Sequence, residues 1–121
     1  MNLISFFEIP ASDFDRAVKF YENVFGITLN RCEGDGEKMA FFPAGSNAEG
    51  AISQHESMKP SPDGVTLTFG WDGGIDEFLA RAEKAGGKTL RPKTKIEAEN
   101  RGYFALFADT EGNRLGVYSE K

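Results

Sequence analysis

Two apolar stripes of helical period, each closed by glycine and each followed by three short β-prone runs, constrain this chain more than any other feature. Phe14, Ala17, Val18, Tyr21, Val24 and Phe25 recur at three- and four-residue spacing, which predicts a helix beginning at Asp13, capped by Ser12 and stopped by Gly26. Asp15 stands where a weak capping-box partner of Ser12 would be. Ile75, Phe78, Leu79, Ala82 and Ala85 repeat the pattern and end at Gly86-Gly87. Leu3 to Ile9 reads as a strand before the first helix, and Ile27 to Cys32, Lys38 to Phe42 and Gly50 to His55 as strands after it. The connections EGDGE and PAGSNAEG carry the Gly, Pro and Asn of antiparallel turns. Val65 to Trp71 precedes the second helix, and Lys88 to Leu90, Gly102 to Ala108 and Arg114 to Tyr118 follow, with Asp109 to Asn113 as a hairpin loop. Each half is therefore β-α-β-β-β, and Pro60, Pro62 and the turn-forming Asp63-Gly64 join them.

This order predicts an α+β fold of two β-α-β-β-β modules, about 1–58 and about 64–121, within a single domain spanning 1–121. A chain of 121 residues that is 40% hydrophobic and holds 11 Phe has enough apolar mass for one buried core. Its net charge of -5, without any Lys/Arg-rich run, repels phosphate backbones and anionic membranes, so neither is an expected partner. Cys32 is the single cysteine, which precludes an intramolecular disulfide and fits a reducing compartment. The opening MNLISFFEIPASD lacks a basic stretch followed by a long apolar one, and a cytoplasmic location is expected.

Three segments resemble one known superfamily: EIPASDFDRAVKFYENVFGI after the first strand, AEKAGGKTLRPKT after the second helix, and GYFALFADTEGNRLGVYS at the end. With the repeated order, the likeness to the vicinal oxygen chelate (glyoxalase/bleomycin-resistance/extradiol dioxygenase) superfamily covers essentially the whole chain. The ending DTEGNRLGVYS departs from the family's D-P-(D/E)-G-N pattern in having Thr110 for Pro. The resemblance implies curled, mixed or antiparallel sheets around a cavity, a homodimer, and a floor where His, Glu or Gln ligands from the first and last strands of each module hold a divalent metal. Some members are isomerases, thiol transferases or dioxygenases, and others bind antibiotics without metal.

Carried onto this chain, the four ligand positions fall on Phe6, Ser53, Thr66 and Gly116. Phe and Gly offer no side-chain donor, and lone hydroxyls bind divalent ions poorly beside imidazole or carboxylate. The resemblance therefore implies a small-molecule-binding protein with no metal cofactor. Strand alternation adds Glu8, His55, Thr68, Arg114 and Tyr118 to the cavity lining, with Tyr103 as a second phenol and Phe41 and Trp71 as apolar walls. Glu8, at the end of an apolar strand, is expected to pair with Arg16 or Arg114. The competing expectation is a lyase or dioxygenase whose divalent metal is held by displaced ligands, Glu8, the single histidine His55 and Gln54. The sequence holds no nucleophile elbow, phosphate loop, dinucleotide fingerprint or C-x-x-C pair.

Overall fold

A computed structural model describes residues 3–45, 49–98 and 101–121. The chain divides into two compact units, Met1–Pro60 and Ser61–Lys121. The element order is β-α-β-β-β in each, as the periodicity predicts. The middle of the predicted PAGSNAEG turn lies outside the described residues.

In the first unit, β1 (Phe6–Pro10), β2 (Asn30–Gly34), β3 (Glu37–Phe41) and β4 (Glu49–Gln54) form a mixed sheet in the order β1-β4-β3-β2. β1 runs parallel to β4, and the other pairs are antiparallel. Helix α1 (Phe14–Phe25) buries Phe14, Ala17, Val18, Phe20, Tyr21 and Val24, the stripe foreseen with Phe20 added and Phe25 only half-buried. Its N-cap is Asp13 rather than Ser12: Asp13 has the extended backbone of a cap, and its carboxylate accepts from the Arg16 N–H at 3.2 Å. Asp15 is no capping partner here but an ion pair with Arg31, 2.6 Å away on β2, whose guanidinium also lies over the Phe14 ring. The helix stops where Gly26 takes φ 68°, a left-handed conformation that costs a side-chain-bearing residue more than glycine. Ile9, Ala40 and Ile52 complete this core, and Tyr21 meets Phe42 edge-on at 5.9 Å. Burying each such large apolar side chain contributes about 1.5–3 kcal/mol.

In the second unit, β5 (Thr68–Gly70), β6 (Lys88–Lys95), β7 (Tyr103–Ala108) and β8 (Arg114–Ser119) repeat the arrangement in the order β5-β8-β7-β6. Helix α2 (Ile75–Lys84) buries Ile75, Phe78, Leu79 and Ala82 against this sheet, and Phe78 meets Phe107 at 5.1 Å and Trp71 at 5.4 Å. No side chain caps α2, but Asp76 and Glu77 in its first turn and Arg81 and Lys84 in its last complement the helix dipole. β5 is shorter than the expected Val65 to Trp71, and Val65 is 98% exposed. β6 is longer than expected, because pairing with β7 continues through Arg91, Thr94 and Lys95 across two irregular registers.

Candidate functional site

Each sheet has one face against its helix and one turned away, and ladder registers decide which side chains share the latter. In the first unit Glu8 pairs with Ala51, Phe41 with Ala51, and Met39 with Ser53, so Phe6, Glu8, Met39, Phe41, Ala51 and Ser53 share the face opposite α1. Phe6 and Phe41 place their rings 6.1 Å apart. The buried Ser53 hydroxyl donates to Glu8 Oε1 at 2.9 Å. Glu8 itself is exposed, so water solvates its charge and the expected arginine partner is not required. Arg114 donates instead to Gly64 O at 3.1 Å and Thr66 Oγ1 at 3.0 Å.

In the second unit Thr68 pairs with Gly116, Leu106 with Gly116, and Phe104 with Tyr118. Thr68, Phe104, Leu106, Arg114, Gly116 and Tyr118 therefore share the face opposite α2, and Thr66 joins them through its bond to Arg114. The Tyr118 hydroxyl accepts from the Gly102 N–H at 3.1 Å. Tyr103 does not belong to this set. It pairs with Ser119, on the face toward α2, with Lys93 and Lys95 Nζ 4.3 and 5.1 Å from its ring centre. Trp71 packs on Phe78 and donates Nε1–H to Glu77, so it belongs to the helix side and not to a ligand wall.

The same registers match the two units strand by strand. Glu8 stands to Ala51 on β1 and β4 as Thr68 stands to Gly116 on β5 and β8, so Ala51 is the equivalent of Gly116, and Ser53 corresponds to Tyr118. Alanine, like the serine it replaces in this reading, supplies no good metal donor. At Gly116 the space for a ligand is filled as well: a Cβ there would lie 2.6 Å from Thr68 Oγ1. Restoring a carboxylate by Gly116→Glu will therefore lower stability by about 1–2 kcal/mol in urea unfolding. Adding Thr68→Ala will recover most of that loss.

His55 leaves the Ser53 face. It makes an isolated bridge with Met58 beyond the end of β4, and the Ser57 N–H donates to its Nδ1 at 3.2 Å. The Ser57 hydroxyl lies 2.6 Å from the same nitrogen. Among the described residues, no three His, Cys, Asp or Glu side chains group closely enough to hold an ion. The residues present do not fit the chelated divalent metal that such a fold commonly carries.

Residues 3–117 match the model of the Glyoxalase/Bleomycin resistance protein/Dioxygenase superfamily. A glyoxylase-like domain-containing protein of Didymella fabae is 32% identical over 124 aligned positions, covering 94% of this chain and 91% of its own. The metallothiol transferase FosB of Shouchella clausii is 28% identical, over 98% of this chain and 81% of its own. Among solved structures, TnmS3, an antibiotic-binding protein from Streptomyces sp. CB03234, superposes with a TM-score of 0.73 at 22% identity, over 100% of this chain and 98% of its own. Two mixed four-stranded sheets, each with one helix, are the α+β class this match describes. The chain belongs to the glyoxalase/bleomycin resistance protein/dioxygenase superfamily.

Proposed function

We propose that this protein binds a small organic molecule without a chelated metal, using the sheet faces turned away from the helices. The reading rests on residue types: the coordination points implied by the resemblance fall on Phe6, Thr66 and Gly116 and, by register, on Ala51, none of them a good metal donor, and Thr68 crowds Gly116. In place of imidazoles and carboxylates, the first unit presents two aromatic rings, the Met39 thioether and one solvated carboxylate, Glu8. That mixture suits a flat apolar molecule bearing a cationic or hydrogen-bond-donating group, with Glu8 as the orienting anion. The second unit offers the Thr66, Thr68 and Tyr118 hydroxyls and the Arg114 guanidinium. The antibiotic-binding relative of the same fold supports a binding role in this family, and the thiol transferase supports the enzymatic alternative.

Elemental analysis of protein purified without chelator tests the reading. Less than one tenth of a metal per chain, roughly, is expected, unchanged by Glu8→Ala or His55→Ala; one metal per chain, lost in either variant, overturns it. A thermal-shift screen of aromatic amines then seeks the ligand, because a compound at about 100 times its Kd stabilises the native form by about 2.7 kcal/mol. Phe6→Ala will abolish the shift.

We also infer a cytoplasmic homodimer. Cys32 is an exposed thiol, a liability under oxidising conditions, and no helix among the described residues is long and apolar enough to cross a membrane. Every residue of the edge strand β2 is exposed, which leaves this edge accessible to a partner strand, whereas β6 is interrupted by irregular registers, Pro92 and lysines. Light scattering at micromolar concentration will give the dimer mass, and a monomer would refute this.

A further inference from the structure

Beyond the end of β4, the first unit holds a groove of about 400 Å³, lined by Ser12, Gln54, His55, Glu56, Met58 and Lys59 among others. It shares no lining residue with the Phe6, Glu8 and Ser53 face. Two neighbouring side chains in it have their acceptor atoms occupied by main-chain donors. The Phe14 N–H at the start of α1 donates to Gln54 Oε1 at 2.6 Å, which fixes the amide so that its NH2 is the end left to donate. The Ser57 N–H, which can only donate, reaches His55 Nδ1 at 3.2 Å, and the Ser57 hydroxyl lies 2.6 Å from the same atom. The neutral imidazole therefore carries its proton on Nε2. The bond from Met58 N–H to His55 O, 3.0 Å, closes this turn and holds the ring's backbone in place.

The Gln54 NH2 and the His55 Nε2–H are thus left to donate, beside the second lone pair of Gln54 Oε1. Lys59 adds a positive charge to this lining and Glu56 a negative one. The two N–H donors and the Lys59 ammonium outnumber the one carboxylate, so an acceptor-rich anion satisfies them, and the open groove of about 400 Å³ has room for a compound of metabolite size. We propose that this groove binds a small carboxylic acid through the Gln54 amide, the His55 Nε2–H and the Lys59 ammonium. The proposal is independent of the reading of the sheet faces and fails or stands without it.

Nitrogen-15 NMR of the full chain, titrated with sodium malonate against sodium chloride at equal ionic strength, tests it. The free protein is expected to show the Nε2–H tautomer of His55, and malonate to produce saturable shifts of the Gln54 NH2 and His55 ring signals. Lys59→Ala should weaken binding about fivefold, as loss of a partly exposed charge contact does. Gln54→Glu keeps an acceptor for the Phe14 N–H but replaces the donor with a carboxylate, so it should abolish malonate binding while leaving the unfolding midpoint near that of the parent. An Nδ1–H tautomer, shifts that chloride reproduces, or a Gln54→Glu protein that binds malonate as well as the parent would each overturn the assignment.

Discussion

Asp109→Ala will lower the stability of the second unit by about 3 kcal/mol, a fall of roughly 10 °C in thermal midpoint for a chain of this size. Asp109 is 4% exposed and Asn113 6% exposed. The Asp109 carboxylate accepts from the Glu111 N–H at 2.8 Å, the Asn113 N–H at 3.0 Å and the Asn113 side-chain amide at 3.0 Å. Asn113 Oδ1 in turn accepts from the Ser61 N–H at 3.1 Å, which ties the β7–β8 turn to the segment ahead of β5. Removing the carboxylate strands three donors in and around a buried turn, and each hydrogen bond to a charged group is worth about 1.5–3 kcal/mol, with overlapping losses. Asp109→Asn keeps the shape but sets amide against amide at Asn113, so about half the loss is expected. Circular dichroism of thermal unfolding measures both. A change below about 1 kcal/mol for Asp109→Ala would show that water takes over the carboxylate's role.

Gly102→Ala is the second large effect, also about 3 kcal/mol, and it acts through volume rather than hydrogen bonding. A Cβ on Gly102 would lie 2.2 Å from Ser119 O and 2.7 Å from Glu120 Cα. Both obstacles are main chain, so no rotamer change relieves the overlap and the β7–β8 pair must separate at this end. That movement would also pull the Gly102 N–H from the Tyr118 hydroxyl and the Gly102 carbonyl from the Ile96 N–H. Gly70→Ala is the control, since a Cβ there meets nothing within 4 Å. Urea unfolding should show a lowered midpoint for Gly102→Ala alone; equal midpoints in the two variants would mean that the strand ends part at no cost.

Helices were legible from the chain because their signals are local. The stripe from Phe14 to Val24 repeats every three or four residues, and Gly26 supplies the positive φ at which the helix ends. The cap was misplaced by one residue because Ser12 and Asp13 are equally good by type, and only the backbone conformation distinguishes them. Strand ends were less readable. Arg91 to Lys95 has no apolar alternation to mark it, and its place in β6 comes from pairing with β7.

Site residues divide along the same line. Alternation within one strand grouped Phe6 with Glu8 and Gly116 with Tyr118, and the ladder registers keep each of these pairs on one face, while Thr66 lies ahead of β5 and meets Arg114 through a hydrogen bond. Glu8 was expected beside an arginine, and only coordinates reveal that it is exposed and bonded to Ser53. Gln54 was legible only as a displaced metal ligand and Lys59 gave no pattern, because what defines the groove is the α1 amide and the turn after β4 that converge there.

The chain alone determined the order β-α-β-β-β twice over and the buried stripe of each helix, since period and residue type are properties of a segment by itself. Tertiary structure decided the phase between strands. It set Tyr103 beside Ser119 and away from Tyr118, put Ala51 where Ser53 was expected, and turned His55 out of the sheet. A shift of one residue in pairing exchanges the two faces of a strand, and that register is chosen by turn geometry and by packing against the helix, neither of which is written in any one segment.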